Sequence, residues 1–130
     1  MSLIVSSGWE QRVRDELGTD EIYVPDSFLR NQIGLAEANI IKFVPEWESM
    51  PDDKKIYIET AVICECAALV CPSMPARLPK KESGPHAAYE LDVDWSELRE
   101  ILLDKRNSCL SKITGELEEV PFFGLAGPGR

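Results

Sequence analysis

The sequence predicts an all-α fold: a small bundle of three to four helices with a long proline-rich loop, at most one short β element, and a non-helical C-terminal tail. Three observations predict it. Apolar residues recur at helical spacing through residues 28–44, 56–70 and 98–113. Cap-forming residues and prolines or glycines stand where those patterns begin and end. Only residues 86–93 show any alternation of apolar and polar residues. With 130 residues the chain suits one domain, able to bury about two-thirds of the surface its unfolded form exposes.

Taken in order, Ser6 and Ser7 are candidate N-caps for a first helix, and Trp9, Val13 and Leu17 form its apolar stripe. Gly18 is its expected stop. A polar connection and a short extended or packing segment, Ile22-Tyr23-Val24, lead to Pro25-Asp26-Ser27, where Asp26 or Ser27 should cap the second helix. Phe28, Leu29, Ile33, Ala36, Ile40, Ile41 and Val44 give that helix a broad apolar face. Gly34 inside it suggests close approach of another helix, and Pro45 should end it near Val44.

Ser49 and Asp52 resemble a capping box for a third helix over 52–70. Its apolar residues, from Ile56 and Ile58 to Leu69 and Val70, cover more than half of its circumference, so it is buried on several sides or meets a partner. Cys71-Pro72 should stop it. Pro72, Pro75, Pro79 and Pro85 then punctuate a loop carrying Arg77, Lys80 and Lys81. Residues 86–93 form the candidate strand. Asp94 with Glu97 is a capping box for the last helix, whose face is Leu98, Ile101, Leu102, Cys109, Leu110 and Ile113, with Gly115 as its stop. The predicted organisation is an N-terminal helix and connection (1–24), a helical domain (25–113) and a flexible C-terminal tail (114–130). Leu29, Ile33, Ile40, Val62, Cys66, Leu69, Leu98, Leu102 and Leu110 are the predicted core.

The charge is lopsided, with 23 acids against 14 bases and a net charge of −9. Such a surface repels phosphate and anionic lipid, which argues against sequence-specific or non-specific nucleic-acid binding and against a membrane partner. The longest apolar-rich stretch, 61–70, is interrupted by Glu65 and falls short of the roughly 20 residues a membrane span needs. The first residues have no basic n-region, so a signal peptide is not expected and the cytoplasm is the expected location. Cys64, Cys66, Cys71 and Cys109 lie in apolar or helical surroundings and should pack as reduced, small hydrophobes.

A search for chemistry yields no catalytic residue, no metal ligand set and no cofactor motif. His86, the only histidine, lies in a Gly-Pro-His turn with no evident nucleophile or orienting group. Cys64-x-Cys66 lacks zinc-site spacing and a second pair. Asp92-x-Asp94 begins like a calcium loop but lacks the glycine and glutamate that must follow. Arg77, Lys80 and Lys81 form the one basic cluster, too small for a nucleic-acid footprint. The tail carries Val120, Phe122, Phe123 and Leu125 among two prolines and several glycines. It either folds back on its own core or docks on a partner.

The order of elements then carries a resemblance: two consecutive helices, a long loop, an extended segment with Tyr89, a last helix and a non-helical tail. With Ala36-Glu37-Ala38 inside 29–41, the helix over 58–69, the 84–91 stretch and Leu98-x-x-Ile101-Leu102-Leu103-x-x-Arg106, residues 26–113 resemble the small head–tail connector proteins of tailed bacteriophages and prophages, also called head-completion or adaptor proteins. The cysteines, the long proline-rich loop and the helix around Trp9 depart from that pattern. The resemblance implies a structural protein without enzymatic activity. It would form a ring of its own copies that joins the portal protein to the next neck or tail protein and closes the DNA-filled head. Such a protein would be cytoplasmic during assembly and then part of the virion neck. Arg77, Lys80, Lys81, Phe122, Phe123 and Leu125 are the expected partner contacts. The alternative is a small acidic cytosolic adaptor or regulatory protein that binds one protein partner.

Overall fold

A helix must satisfy the amides at its start and the carbonyls at its end, and this requirement sets the boundaries seen in the structure. The computed structural model describes residues 4–78 and 93–114. They form α1 (Trp9–Leu17), α2 (Asp26–Phe43), α3 (Asp52–Val70), the single turn α4 (Met74–Arg77) and α5 (Trp95–Thr114), with 3-10 turns at Trp47–Ser49 and Cys71–Ser73. No strand occurs among the described residues, so the fold is the all-α bundle that periodicity predicts. The candidate strand over 86–93 lies outside the described residues except for its last residue, as do Gly115 and the tail.

Gly18 ends α1 as expected, in the left-handed conformation with φ 70°, and the amides of Gly18 and Thr19 close onto Asp15 and Arg14 carbonyls. Asp94 caps α5 as expected, its Oδ1 accepting the Glu97 amide at 3.0 Å. Three other caps differ. At α1, Gly8 occupies the cap position with φ 89°, and the amide and hydroxyl of Ser6 both go to Glu59 Oε2 instead, at 2.8 and 2.7 Å. At α2 the cap position is Pro25, whose carbonyl accepts the Phe28 and Leu29 amides, while Asp26 is drawn away to Arg14. Pro51 likewise precedes α3, and Ser49 instead donates its hydroxyl to the Glu46 carbonyl at 2.9 Å.

α3 ends at Val70, before Cys71-Pro72, as expected, but Pro72 does not start a loop. It sits in the first turn of the 3-10 segment, where a missing amide costs nothing, and the chain re-enters a helix up to Arg77. The expected loop from Pro72 therefore starts later, beyond α4. The helical run from Asp52 to Arg77 is long and apolar enough by composition to cross a membrane, which the stretch 61–70 alone is not. However, 61% of its most apolar window is buried within the bundle, as befits a core helix.

α3 is the central element. It packs most extensively against α5, then α2, then α1. α3 and α5 run antiparallel: Lys54 Nζ donates to the Ile113 carbonyl at one end, and Glu65 meets Arg106 in the middle. α2 runs antiparallel to α3 and the helical turns that continue it, since Asn39 meets Glu65 of α3 while Phe28 meets Arg77 of α4. Leu29, Ile33, Ile40, Val62, Cys66, Leu102 and Leu110 are buried as predicted, and Leu69 and Leu98 are half-buried against them. A fully buried Leu or Ile stabilises by about 1.5–3 kcal/mol, so this cluster is the main source of folding free energy. Two expectations fail. Gly34 faces solvent with nothing within 4 Å of where a Cβ would stand, so no helix among the described residues approaches it. Ile101 is 53% exposed, and Leu103 packs on the core in its place.

Candidate functional site

The described residues contain three features beyond ordinary core: buried charges, buried thiols and exposed apolar side chains.

Arg14, Glu37 and Glu65 are the buried charged residues. Arg14 donates to the Val24 carbonyl at 3.1 Å and pairs with Asp26 at 2.6 Å, which ties α1 to the start of α2. Glu37 accepts the backbone amides of Ile4 and Val5 at 2.8 and 3.4 Å, fastening the segment before α1 onto α2. Glu65 accepts from Asn39 of α2 at 2.8 Å and pairs with Arg106 of α5 at 2.6 Å, so one carboxylate joins three helices. Isolated buried carboxylates would be strongly penalised, and each of these is hydrogen-bonded. Sequence periodicity missed all three, because a charge on an apolar face is legible only once its partners from other helices are known.

The four cysteines are buried and unpaired. Burial pushes the Cys64 and Cys66 thiols up to about 12 and Cys71 to about 11, and raises Cys109 as well. For Cys66 the nearby Glu37 and Glu65 add to the effect of burial. A thiol is nucleophilic as thiolate, so these are inert packing groups at neutral pH. The hydrogen bond from Lys105 to Glu16, 2.7 Å long, holds that ammonium above the usual lysine range. No group of three or more His, Cys, Asp or Glu among the described residues could hold a metal ion.

Of the expected contact residues, Arg77 alone is described. It lies on α4, half-buried, with its guanidinium stacked 3.5 Å above the Phe28 ring and donating to the Tyr23 carbonyl at 3.3 Å. Its contacts are within the bundle, locking α4 onto the start of α2. Lys80, Lys81, Phe122, Phe123 and Leu125 lie outside the described residues.

The surface the sequence did not single out is at the start of α3. The pairing of Asn39 with Glu65 sets the register of α2 against α3. Phe43, the last residue of α2, is one turn beyond Asn39, so α2 ends about level with Ala61. The nine residues of α3 before Ala61 extend about 14 Å past it. α5 covers one side of this overhang through Lys54 and through Lys112 over Tyr57. On the other side Ile4 and Trp47 are the described residues from outside α3 that close in. The result is a groove of about 270 Å³ lined by Ile4, Trp47, Asp52, Lys55, Ile56, Ile58 and Glu59. Its floor is apolar, Ile56 on its lip is 65% exposed, and Lys55 is a rim cation. Glu59 is engaged by Ser6 and Arg12. Further large apolar side chains are exposed elsewhere: Ile22 before α2, Leu35 and Phe43 on α2, and Ile101 on α5. The signal that could have revealed them is apolar residues outside the buried stripe of each helix.

No protein-family model, curated protein or solved structure matches this chain.

Proposed function

We propose that this protein is a head–tail connector of a tailed phage or prophage, a non-enzymatic ring subunit that joins the portal to the next neck or tail protein and closes the filled head. The reading starts from the resemblance in element order. One observation supports it most: large apolar side chains are exposed on several different elements, at Ile22, Leu35, Phe43, Ile56 and Ile101. A ring is built from heterologous contacts, in which each subunit offers two different faces, one to each neighbour. A protein with a single partner needs only one. The acidic net charge favours free passage of DNA past such a ring. On this reading its partners are its own copies, the portal and the next neck protein, and it moves from the cytoplasm into the virion neck.

The test is the mass of the full chain by light scattering over a concentration series, alone and with a portal protein. A discrete oligomer of high order, alone or on the portal, supports the connector. A monomer that also ignores the portal refutes it and leaves the single-partner adaptor.

A further inference from the structure

The groove at the start of α3 has an apolar floor, a lysine on its rim and, among the described residues, no helix across it. At about 270 Å³ it falls just below the range of small-molecule sites, which start near about 300 Å³, so it suits one or two side chains better than a cofactor. We propose that it is the docking site of this chain's own segment 116–125, Glu-Leu-Glu-Glu-Val-Pro-Phe-Phe-Gly-Leu, with a Phe122 or Phe123 ring as the anchor. On this proposal Ile56 and the Phe122/Phe123 pair are engaged within one chain, so a ring would draw its contact faces from Ile22, Leu35, Phe43 and Ile101.

Three arguments select this occupant. The first is position. α5 ends at Thr114, and the Ile113 carbonyl is held 3.0 Å from Lys54 Nζ. The chain therefore leaves α5 beside the same two turns of α3 that line the groove. Half the circumference of a helix about 10–12 Å across is about 17 Å. The eight residues from Thr114 to Phe122 span up to about 26–29 Å, so Phe122 reaches the groove with slack. The second is charge. Glu116, Glu118 and Glu119 precede the aromatic pair, while Lys54 stands at the exit of α5 and Lys55 on the rim. Two carboxylates also line the groove, Asp52 and Glu59, and Glu59 is already engaged by Arg12 and Ser6, so the acids of the segment are set at Lys54 and Lys55 and the aromatic ring on the apolar floor. The third is tethering. A segment on a short linker sees an effective concentration on the order of millimolar. A contact too weak to hold a second copy at micromolar protein is thus occupied within one chain.

The experiment uses the full chain with labelled isoleucine methyl groups and protonated phenylalanine rings. Nuclear Overhauser contacts are expected between a Phe122 or Phe123 ring and the δ1 methyls of Ile56 and Ile58. They should vanish in Phe122→Ser/Phe123→Ser, with the two methyl resonances shifting and the rest of the bundle unchanged. Ile56→Glu should abolish them too. Ile56 is largely exposed, so that variant keeps the fold and tests the groove from the other side. A folded spectrum without these contacts overturns the proposal. So does a mixture of differently labelled chains in which they appear only between molecules, since the occupant is then a second copy.

Discussion

Glu65 and Arg106 are the sharpest test of what holds the bundle in register. Their side chains are 7% and 17% exposed, and they meet at 2.6 Å. At an effective dielectric of about 20 the Coulomb attraction at that distance is about 6 kcal/mol, and desolvation cancels much of it. Removing one partner nevertheless strands the other as a buried charge, which costs about 3–5 kcal/mol. Arg106 also lies 5.6 Å from the Phe43 ring centre, a cation–π contact worth about 0.5–1 kcal/mol at such a site. Arg106→Met should therefore lower the unfolding free energy by about 3–5 kcal/mol, leaving a folded but weakened protein if the parent has the usual 5–15 kcal/mol. Glu65→Leu/Arg106→Met should lose much less than the sum of its single variants, because no charge is left unpaired. Urea unfolding of the four proteins at pH 7, with unchanged m-values, reads these numbers. If Arg106→Met costs under about 1 kcal/mol, the pair behaves as a surface ion pair and the reasoning is refuted.

Gly34→Ala should stabilise by about 0.8–1 kcal/mol in thermal or urea unfolding, since the site is an exposed helix interior with open space around it; a loss would mean that something does approach there. Alkali should unfold the protein through its cysteines. Their folded-state pKa values lie above the ordinary 9.0, so the stability they contribute is complete below pH 9 and is lost as pH rises toward 11–12. At pH 10 the unfolded chain gains about 1.4 kcal/mol per thiolate, or about 4 kcal/mol over Cys64, Cys66 and Cys71, and an unchanged urea midpoint between pH 8 and pH 10 would contradict this. Arg77→Ala should lower stability by about 1 kcal/mol through loss of the Phe28 stack. If Arg77 contributed only to a partner contact, unfolding of the isolated protein would not change.

The helices were legible because each carries an apolar stripe at helical spacing, three residues long in α1 and longer in α2, α3 and α5. The α5 start was legible at residue level, since the Asp94 carboxylate accepts the Glu97 amide locally. Asp26, Ser6 and Ser49 were not, for the opposite reason: Arg14 and Glu59 compete for the first two, and the Glu46 carbonyl takes the third. Pro72 marked the end of α3 correctly but not the start of the loop, because a proline in the first turn of a new helical segment is harmless and sequence alone does not reveal where a turn restarts. Arg77 sat in a basic, proline-rich stretch and so looked solvated. Its stack on Phe28 depends on α2 and α4 meeting, which is a fact of topology. The groove was the least legible feature, because it arises from the offset of two helices.

That offset follows from the buried carboxylate at Glu65. Its two oxygens are claimed from opposite sides, by Asn39 of α2 and Arg106 of α5. Sliding α2 by one turn would carry Asn39 about 5.4 Å away and strand a buried acceptor, at about 1–3 kcal/mol for the group. Packing adds to this, because one turn of slippage brings Glu37 or Leu29 to the level of Ile33 and Val44 or Ala36 to that of Ile40. The charge therefore reinforces the register that packing favours. In that register α2 stops short of the first nine residues of α3 and Ile56 is left uncovered. The same logic gives Glu65→Leu/Arg106→Met a second readout. If it retains most of its stability but the Ile56 and Ile58 methyl resonances broaden or multiply, the carboxylate fixes the geometry of the groove more than it stabilises the bundle. Single sharp resonances at their original positions would show that packing alone sets the register.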